Sequence, residues 1–409
     1  MRIAVFSSSF PVLSETFIIN QIIGLIKLGV EVDIITNVVS TDNVMHSSVK
    51  DFDLMSQVKS IGLGSQKNKF QRIILTALNV LSLLLKGNLK VSLTNLSNIL
   101  FDKYLSIGQK LNLISALNKN KLVPYDNIIC HFGDNGYYVC KLRDLGIISG
   151  PISTVFHGYE MSRYKTVNKC LPQYEKLFIE GDLMLPISEL WKEELIKMGC
   201  AESKIKVHRM GIDVNDFDVL PLTSPLSSPL KVVQVGRLTE KKAILDSINA
   251  IVLASQEISI EFSIIGDGEL FSQAKELITS LDASGYINLL GRQSRSVVKQ
   301  YLDEADVFLL PSVRAKDGDM EGVPVSLMEA MSKGLLVVST YHSGIPELIE
   351  NGKSGFLVGE SQVHELVDCF LKIVTLTEEE IQNIRVKARA TCVEKYNNDV
   401  LNFELTKVL

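Results

Sequence analysis

Along nearly the whole chain, short apolar runs end in polar or glycine-bearing loops and give way to segments of helical periodicity. This alternation constrains the fold more than any other feature. Ile3 to Phe6 runs into Ser7-Ser8-Ser9-Phe10-Pro11, and Phe17, Ile18, Ile22, Leu25 and Ile26 then follow at helical spacing, stopping at Gly29 before the next run, Val30 to Thr36. Asn127 to Cys130 ends in His131-Phe132-Gly133, and Ser153 to Phe156 ends in His157-Gly158-Tyr159-Glu160. Leu183 to Ile187 ends in Ser188-Glu189, and Ile205 to Val207 in His208-Arg209. The pattern restarts with Lys231 to Val235, Phe262 to Ile265, Ile287 to Leu290, Val307 to Leu310 and Leu335 to Ser339. After Phe356-Leu357-Val358 only helical patterns remain. Such runs alternating with helices indicate parallel sheets covered on both faces. Ligands bind outside the carboxyl ends of such strands, so the loops after the runs are where function is expected.

Leu220 to Leu230 holds three prolines and three serines and interrupts the alternation. It reads as a linker, 221–230, between a domain over 1–220 and a second over 231–391, each a doubly wound α/β unit, with their ligand edges facing across a cleft. A length of 409 residues suits two such domains. A formal net charge of -5 argues against nucleic acid as a bulk electrostatic partner. No Gly-x-Gly-x-x-Gly follows the first run and no P-loop motif occurs anywhere, which argues against a dinucleotide coenzyme and excludes a Walker site. The six cysteines show no Cys-x-x-Cys spacing, as expected of reduced, buried thiols in a cytoplasmic protein. Met1 to Phe6 reads as a first strand rather than a signal peptide, and Ile73 to Leu85 is too short to span a bilayer.

The densest chemistry lies between Lys316 and Glu329. Pro324 suits the first position of a helix and Gly334 its left-handed stop, so the free amides of Val325, Ser326 and Leu327 would favour an anion. Glu321 lies in the loop before them and Glu329 on the helix, one anion site between two hydroxyl-binding carboxylates. A sugar, a diphosphate and a ribose have that layout; an ordinary capped helix with solvated acids gives the same spacing. Upstream, Gly236-Arg237 and Lys242 offer a glycine turn and two cations suited to a diphosphate, or simply a basic surface loop. Gly266-Asp267-Gly268 and Gly291-Arg292 are further strand ends with close backbone approach. His157, followed by Gly158, is the best placed of the strand-end histidines. Ser14, Glu15 and Thr16 are candidate ligand contacts and equally good helix caps. From Lys67 to Lys121, nine cations and strongly apolar helical runs stand against one acid, Asp102. That composition fits contact with an anionic membrane surface, and it fits a core helix with solvated lysines.

The ordered set Gly236-Arg237…Lys242, Gly266-Asp267-Gly268, Gly291, Pro311-Ser312, Glu321-x7-Glu329 and Gly344-Ile345-Pro346-Glu347 resembles the C-terminal domain of glycosyltransferase family 4. The Ser9-to-Phe17 run and His157-Gly158-Tyr159 resemble its bacterial exopolysaccharide branch, which includes colanic-acid and amylovoran glycosyltransferases. The resemblance implies the GT-B architecture: two Rossmann-like domains with a terminal helix, about 392–409, crossing back to the first. It implies retaining sugar transfer from a nucleotide-sugar to a glycan or lipid-linked oligosaccharide, with no cofactor and no bound metal, by a cytoplasmic protein in peripheral contact with the inner face of the membrane. Arg237 and Lys242 would hold the diphosphate, Glu321 the donor sugar and Glu329 the ribose. His157 would lie near the reacting centre, and Gly291 and Arg292 beside the base. Ser14, Glu15, Gly236, Gly266, Gly268 and the Gly322-Val323-Pro324-Val325-Ser326 run complete the expected donor site, and His131, Tyr159 and Glu160 are the expected acceptor contacts. Ala243 stands where the family often has glycine, and Glu160 where aspartate is common. A nucleotide-sugar epimerase and a non-catalytic nucleotide-sugar sensor are the rival readings.

Overall fold

A computed structural model describes residues 1–12, 15–40, 47–64, 69–86, 89–119 and 121–409. In the N-terminal half six strands form one parallel sheet: β1 Arg2–Phe10, β2 Glu31–Val39, β3 Val58–Ser60, β4 Asn127–His131, β5 Ile152–Phe156 and β6 Leu183–Pro186, in the order β3-β2-β1-β4-β5-β6. A second parallel sheet contains β7 Leu230–Val235, β8 Ile260–Ile265, β9 Ile287–Gly291, β10 Val307–Leu310, β11 Leu336–Thr340 and β12 Phe356–Val358, in the order β12-β11-β10-β7-β8-β9. The strand order of each sheet reverses once, between β1 and β4 and between β7 and β10, and so creates a switch-point crevice. The inner strands are apolar on both faces because helices cover both, as in Ile128 to Cys130 and Val307 to Leu310, all fully buried.

The structure departs from the expected strands in three places. β1 continues through Ser7-Ser8-Ser9 to Phe10, because Ser7, Ser9 and Phe10 pair with Thr36, Val38 and Val39 of β2. β3 is a three-residue edge strand that periodicity does not announce. Ile205 to Val207 is no strand: Ile205 makes one bridge to Met184 at the sheet edge, and the amides of Lys206 and His208 donate to Met184 and Pro186.

The chain returns to the first domain at its end. The helix Glu378–Lys395 packs in the second domain, and the next, Asn398–Val408, lies against Thr16–Lys27 of the first. Between them, the Ile212 amide donates to Tyr396 O and the Asn398 amide to Ile212 O, both at 2.9 Å. A Cβ on Gly211 would stand 2.2 Å from Tyr396 O, so this crossing needs glycine for clearance.

Candidate active site

The ends of β7, β8 and β9 are tied together through glycine. The Gly236 amide donates to Ile265 O at 3.0 Å and the Gly266 amide to Gly291 O at 2.9 Å. A Cβ on Gly266 would fall 1.8 Å from Gly236 O, and one on Gly268 2.4 Å from Leu238 O, so the three loops can stack only without side chains there. They enclose an open cavity of about 680 Å³ whose lining includes Gly236, Arg237, Gly266, Gly268 and Arg292.

Beside that cavity, at the β7/β10 switch point, Lys242 Nζ lies 3.1 Å from Glu321 Oε1, and Lys241 Nζ lies 3.9 Å from the same oxygen and 3.1 Å from Asp319. Glu321 is only 8 % exposed. Burial opposes its ionisation, but the charges of Lys242 and Lys241 outweigh burial and hold the carboxyl below its usual range. Its backbone is fixed as well: the Glu321 amide donates to His342 Nε2 at 3.1 Å, and Ser343 Oγ donates to Glu321 O at 2.6 Å.

The helix that follows spans Val325–Lys333 and stops at Gly334, with φ 85°. Pro324 is its N-cap rather than its first residue. The Leu327 amide is spent on Pro324 O at 3.1 Å, so of the three amides expected to face an anion only those of Val325 and Ser326 stay outside the helix's own ladder. Gly322 and Val323 form the turn before the cap. Glu329 is half-buried and has no ion pair among the described residues; desolvation pushes its carboxyl up to about 7 against the weaker pull of Arg295.

The first domain reaches this loop through the end of β5. A Cβ on Gly158 would lie 2.8 Å from Gly322 N and 3.0 Å from Glu321 O, so the two backbones are in contact across the cleft. The Met320 amide donates to Ser162 Oγ at 3.1 Å, which fixes the same approach. Immediately before Gly158, His157 belongs to a buried chain. His157 Nε2 lies 3.1 Å from His131 Nδ1, His131 Nε2 lies 2.9 Å from Gln21 Oε1, and Gln21 Nε2 lies 3.3 Å from His208 Nε2. Burial lowers His157 to about 3 and His208 to about 4, and His131 well below its usual range, so all three are neutral at pH 7. His208 was noted in the sequence only as a strand-end histidine and Gln21 not at all; a lone glutamine on a helix carries no signal until the fold seats it between two imidazoles.

The structure places two expected acceptor contacts, Glu160 and His131, in the interior of the first domain. Glu160 is 3 % exposed and accepts from the Gly133 amide at 2.6 Å, the His157 amide at 2.9 Å and Tyr174 OH at 3.2 Å. It ties the β4 and β5 loops together from inside. His131, 2 % exposed, likewise lies inside, with its Nδ1 3.1 Å from His157 Nε2. Tyr159 remains at the surface, 47 % exposed beside Arg163. Glu15 precedes the first helix and makes no side-chain cap there, while Ser14 lies outside the described residues. Glu347, named in the sequence only within the Gly344-Ile345-Pro346-Glu347 motif, accepts from the Glu189 amide at 2.8 Å and pairs with Arg209 at 3.1 Å, joining the two domains.

Comparison with known proteins agrees with this arrangement. A family model described as Glycosyl transferases group 1 matches residues 224–391. A protein of Escherichia coli (strain K12) assigned to colanic acid biosynthesis as the glycosyltransferase WcaL is 37% identical over 412 residues, covering 100% of this chain and 99% of its own length. The amylovoran biosynthesis glycosyltransferase AmsK of Erwinia amylovora is 38% identical over 414 residues, with the same coverage. Among solved structures, Anabaena Alr3699/HepE in complex with UDP and glucose superposes with a TM-score of 0.70 at 16% identity, over 100% of this chain and 99% of that one. The lipopolysaccharide outer core galactosyltransferase WaaB superposes with a TM-score of 0.63 at 19% identity, over 100% of both chains. The chain therefore belongs to the group 1 glycosyl transferases, in the branch that holds the bacterial colanic acid and amylovoran glycosyltransferases, and it has the GT-B fold.

Proposed function

We propose that this glycosyltransferase moves a hexose, with retention of anomeric configuration, from a nucleotide-diphosphate sugar to a lipid-linked oligosaccharide during exopolysaccharide biosynthesis. The observation that carries the reading is the contact of the Gly158 backbone with Glu321-Gly322, which brings the first domain against the Lys242–Glu321 pair beside the glycine-lined cavity. In this reading the diphosphate lies between Arg237, Lys242 and the amides of Val325 and Ser326. The base lies near Gly291 and Arg292, the ribose against Glu329, and the sugar against Glu321 with His157 nearby. The bond from the anomeric carbon to the phosphate oxygen breaks as the acceptor hydroxyl attacks from the same face. The hydroxyl proton passes to the departing phosphate, whose charge the two cations and the helix amides stabilise. No pair of carboxylates is asked to act as nucleophile and acid, unlike in a retaining hydrolase.

We further propose turnover without a bound metal and a peripheral position on the inner face of the cell membrane. Among the described residues no helix is long and apolar enough to cross a membrane. A panel of nucleotide-sugars screened by thermal shift identifies base and sugar together. Product analysis with the stabilising donor then tests the reaction. A new glycosidic bond with the donor's anomeric configuration supports the proposal, and undiminished turnover in a chelator supports the metal-free reading. Interconversion of the donor without an acceptor would instead make the protein an epimerase, and binding without turnover a sensor.

A further inference from the structure

Next to the Lys242–Glu321 pair, one imidazole links three strand-end loops. His342 follows β11, Glu360 follows β12 and Arg314 follows β10, three strands that stand side by side in the second sheet. His342 is fully buried. Its Nε2 accepts from the Glu321 amide, and its Nδ1 lies 2.7 Å from Glu360 Oε1. The other oxygen of that carboxylate, Oε2, accepts from the Arg314 amide at 2.9 Å. A backbone N–H can only donate, so Nε2 must carry a lone pair, and the ring proton then sits on Nδ1, where Glu360 accepts it. One neutral tautomer satisfies both contacts and the other satisfies neither. The far side needs an anion as well: a glutamine at 360 would offer one oxygen and one amide nitrogen to two donors. The loop after β11 also holds the carbonyl side of the same segment, through Ser343 Oγ on Glu321 O and the Gly344 amide on Gly322 O at 3.3 Å.

We infer that His342, oriented by Glu360, is a positioning residue for Glu321: as the neutral Nδ1–H tautomer it holds the Glu321 backbone so that the carboxylate meets Lys242, and protonation at Nε2 releases the loop and slows transfer. The inference rests on the role at the donor sugar proposed above for Glu321 and adds the device that keeps Glu321 in place. A proton added to Nε2 would point at the Glu321 N–H, donor against donor, and leave both unsatisfied in the interior. Burial disfavours that proton and the Arg314 charge acts in the same sense; together they outweigh Glu360 and Glu321, which favour it, and hold the imidazole below its ordinary value. The ring is therefore neutral at pH 7, and the release belongs on the acid side of the usual histidine range. Glu329, by contrast, acts on donor affinity and does so nearer to neutrality.

The test uses the full chain and combines two readouts that need no sugar transfer with one that does. Nitrogen NMR of isotopically labelled histidine at pH 7, with the His342 signals assigned by their loss in His342→Gln, should show the Nδ1–H tautomer. Hydrogen-exchange mass spectrometry should find the Glu321 amide protected in the wild type and in His342→Gln, whose side-chain oxygen can accept from it, and exchanging roughly tenfold or more faster in His342→Leu. With the nucleotide-sugar that the thermal-shift panel selects, His342→Leu should lower kcat roughly 10- to 100-fold while KM changes by less than about twofold. His342→Gln should recover most of that loss, and its kcat should stay level at acid pH where that of the wild type falls. Glu360→Gln should lower kcat roughly tenfold and populate the Nε2–H tautomer. The two glutamine variants keep the test open if His342→Leu fails to fold. An Nε2–H tautomer in the wild type, a Glu321 amide as unprotected there as in His342→Leu, or an acid limb of kcat that His342→Gln leaves unchanged would overturn the inference. A wild-type chain that turns over no nucleotide-sugar would count against the proposed function instead, and the tautomer and exchange results would still decide whether His342 holds the loop.

Discussion

Glu321 and Glu329 flank one short turn yet meet opposite electrostatic conditions, and their titration follows. Glu321 is held ionised by Lys242 and Lys241, whereas Glu329 is half-buried with only Arg295 to help it and is pushed up to about 7. An ionised carboxylate is the stronger acceptor for hydroxyls. Donor affinity of the wild type should therefore rise as pH increases through about 7, and Glu329→Gln should bind more weakly with a flat profile while kcat stays near wild type. The sign for stability is the reverse. The folded protein holds this proton over a window where the unfolded chain has released it, so this contribution to stability is lost as pH rises towards and through about 7. Glu329→Gln should gain in melting temperature relative to wild type at pH 8 more than at pH 5. Glu321→Gln should mainly lower kcat. Lys242→Ala and Arg237→Ala should each lower kcat roughly 100-fold or more, and near-normal turnover in both would remove the phosphate assignment. Ala243, directly after Lys242, sits at φ 48° in the left-handed region. Ala243→Gly should therefore raise stability by up to about 1 kcal/mol in a urea melt without moving Lys242.

The strand-end loops were legible as a set because each joins a periodic apolar run to a helix, and that signal is local. The role of each side chain within them was not. Glu160 follows His-Gly-Tyr in a loop aimed at the cleft, which marked it as a substrate contact. The packing of β4 beside β5 instead gives its carboxylate two backbone amides and the Tyr174 hydroxyl to accept from. Glu160→Ala leaves those donors buried and unpaired and should cost about 2–3 kcal/mol, read by chemical denaturation. It should also slow transfer, because the His157 amide loses its anchor. Ile205 to Val207 was misread because a run that pairs once at a sheet edge has the same composition as a short strand. The extension of β1 through three serines escaped notice because pairing with β2, and not apolar periodicity, makes it a strand.

At the scale of the whole molecule, polar bonds across the cleft and the returning terminal helix hold the two sheets in one arrangement. Glu347 of the second domain accepts from the Glu189 and Leu190 amides at the start of a first-domain helix and pairs with Arg209. The crossing at Tyr396 is clasped by Ile212 and leaves no room for a side chain at Gly211. Gly211→Ala should lower the melting temperature and make the segment after Tyr396 more sensitive to limited proteolysis, since the clash is with backbone rather than with a movable side chain. The sequence by itself determined two parallel sheets with interleaved helices and the residue types offered at each strand end, because periodicity and glycine act over a few neighbouring residues. Only the tertiary structure decided which of those residues meet. The sheet order that sets β7 beside β10 brings Lys242 to Glu321, and the closure of one domain on the other seats Gly158 against them. Both depend on pairings between segments far apart in the chain, which no local pattern encodes.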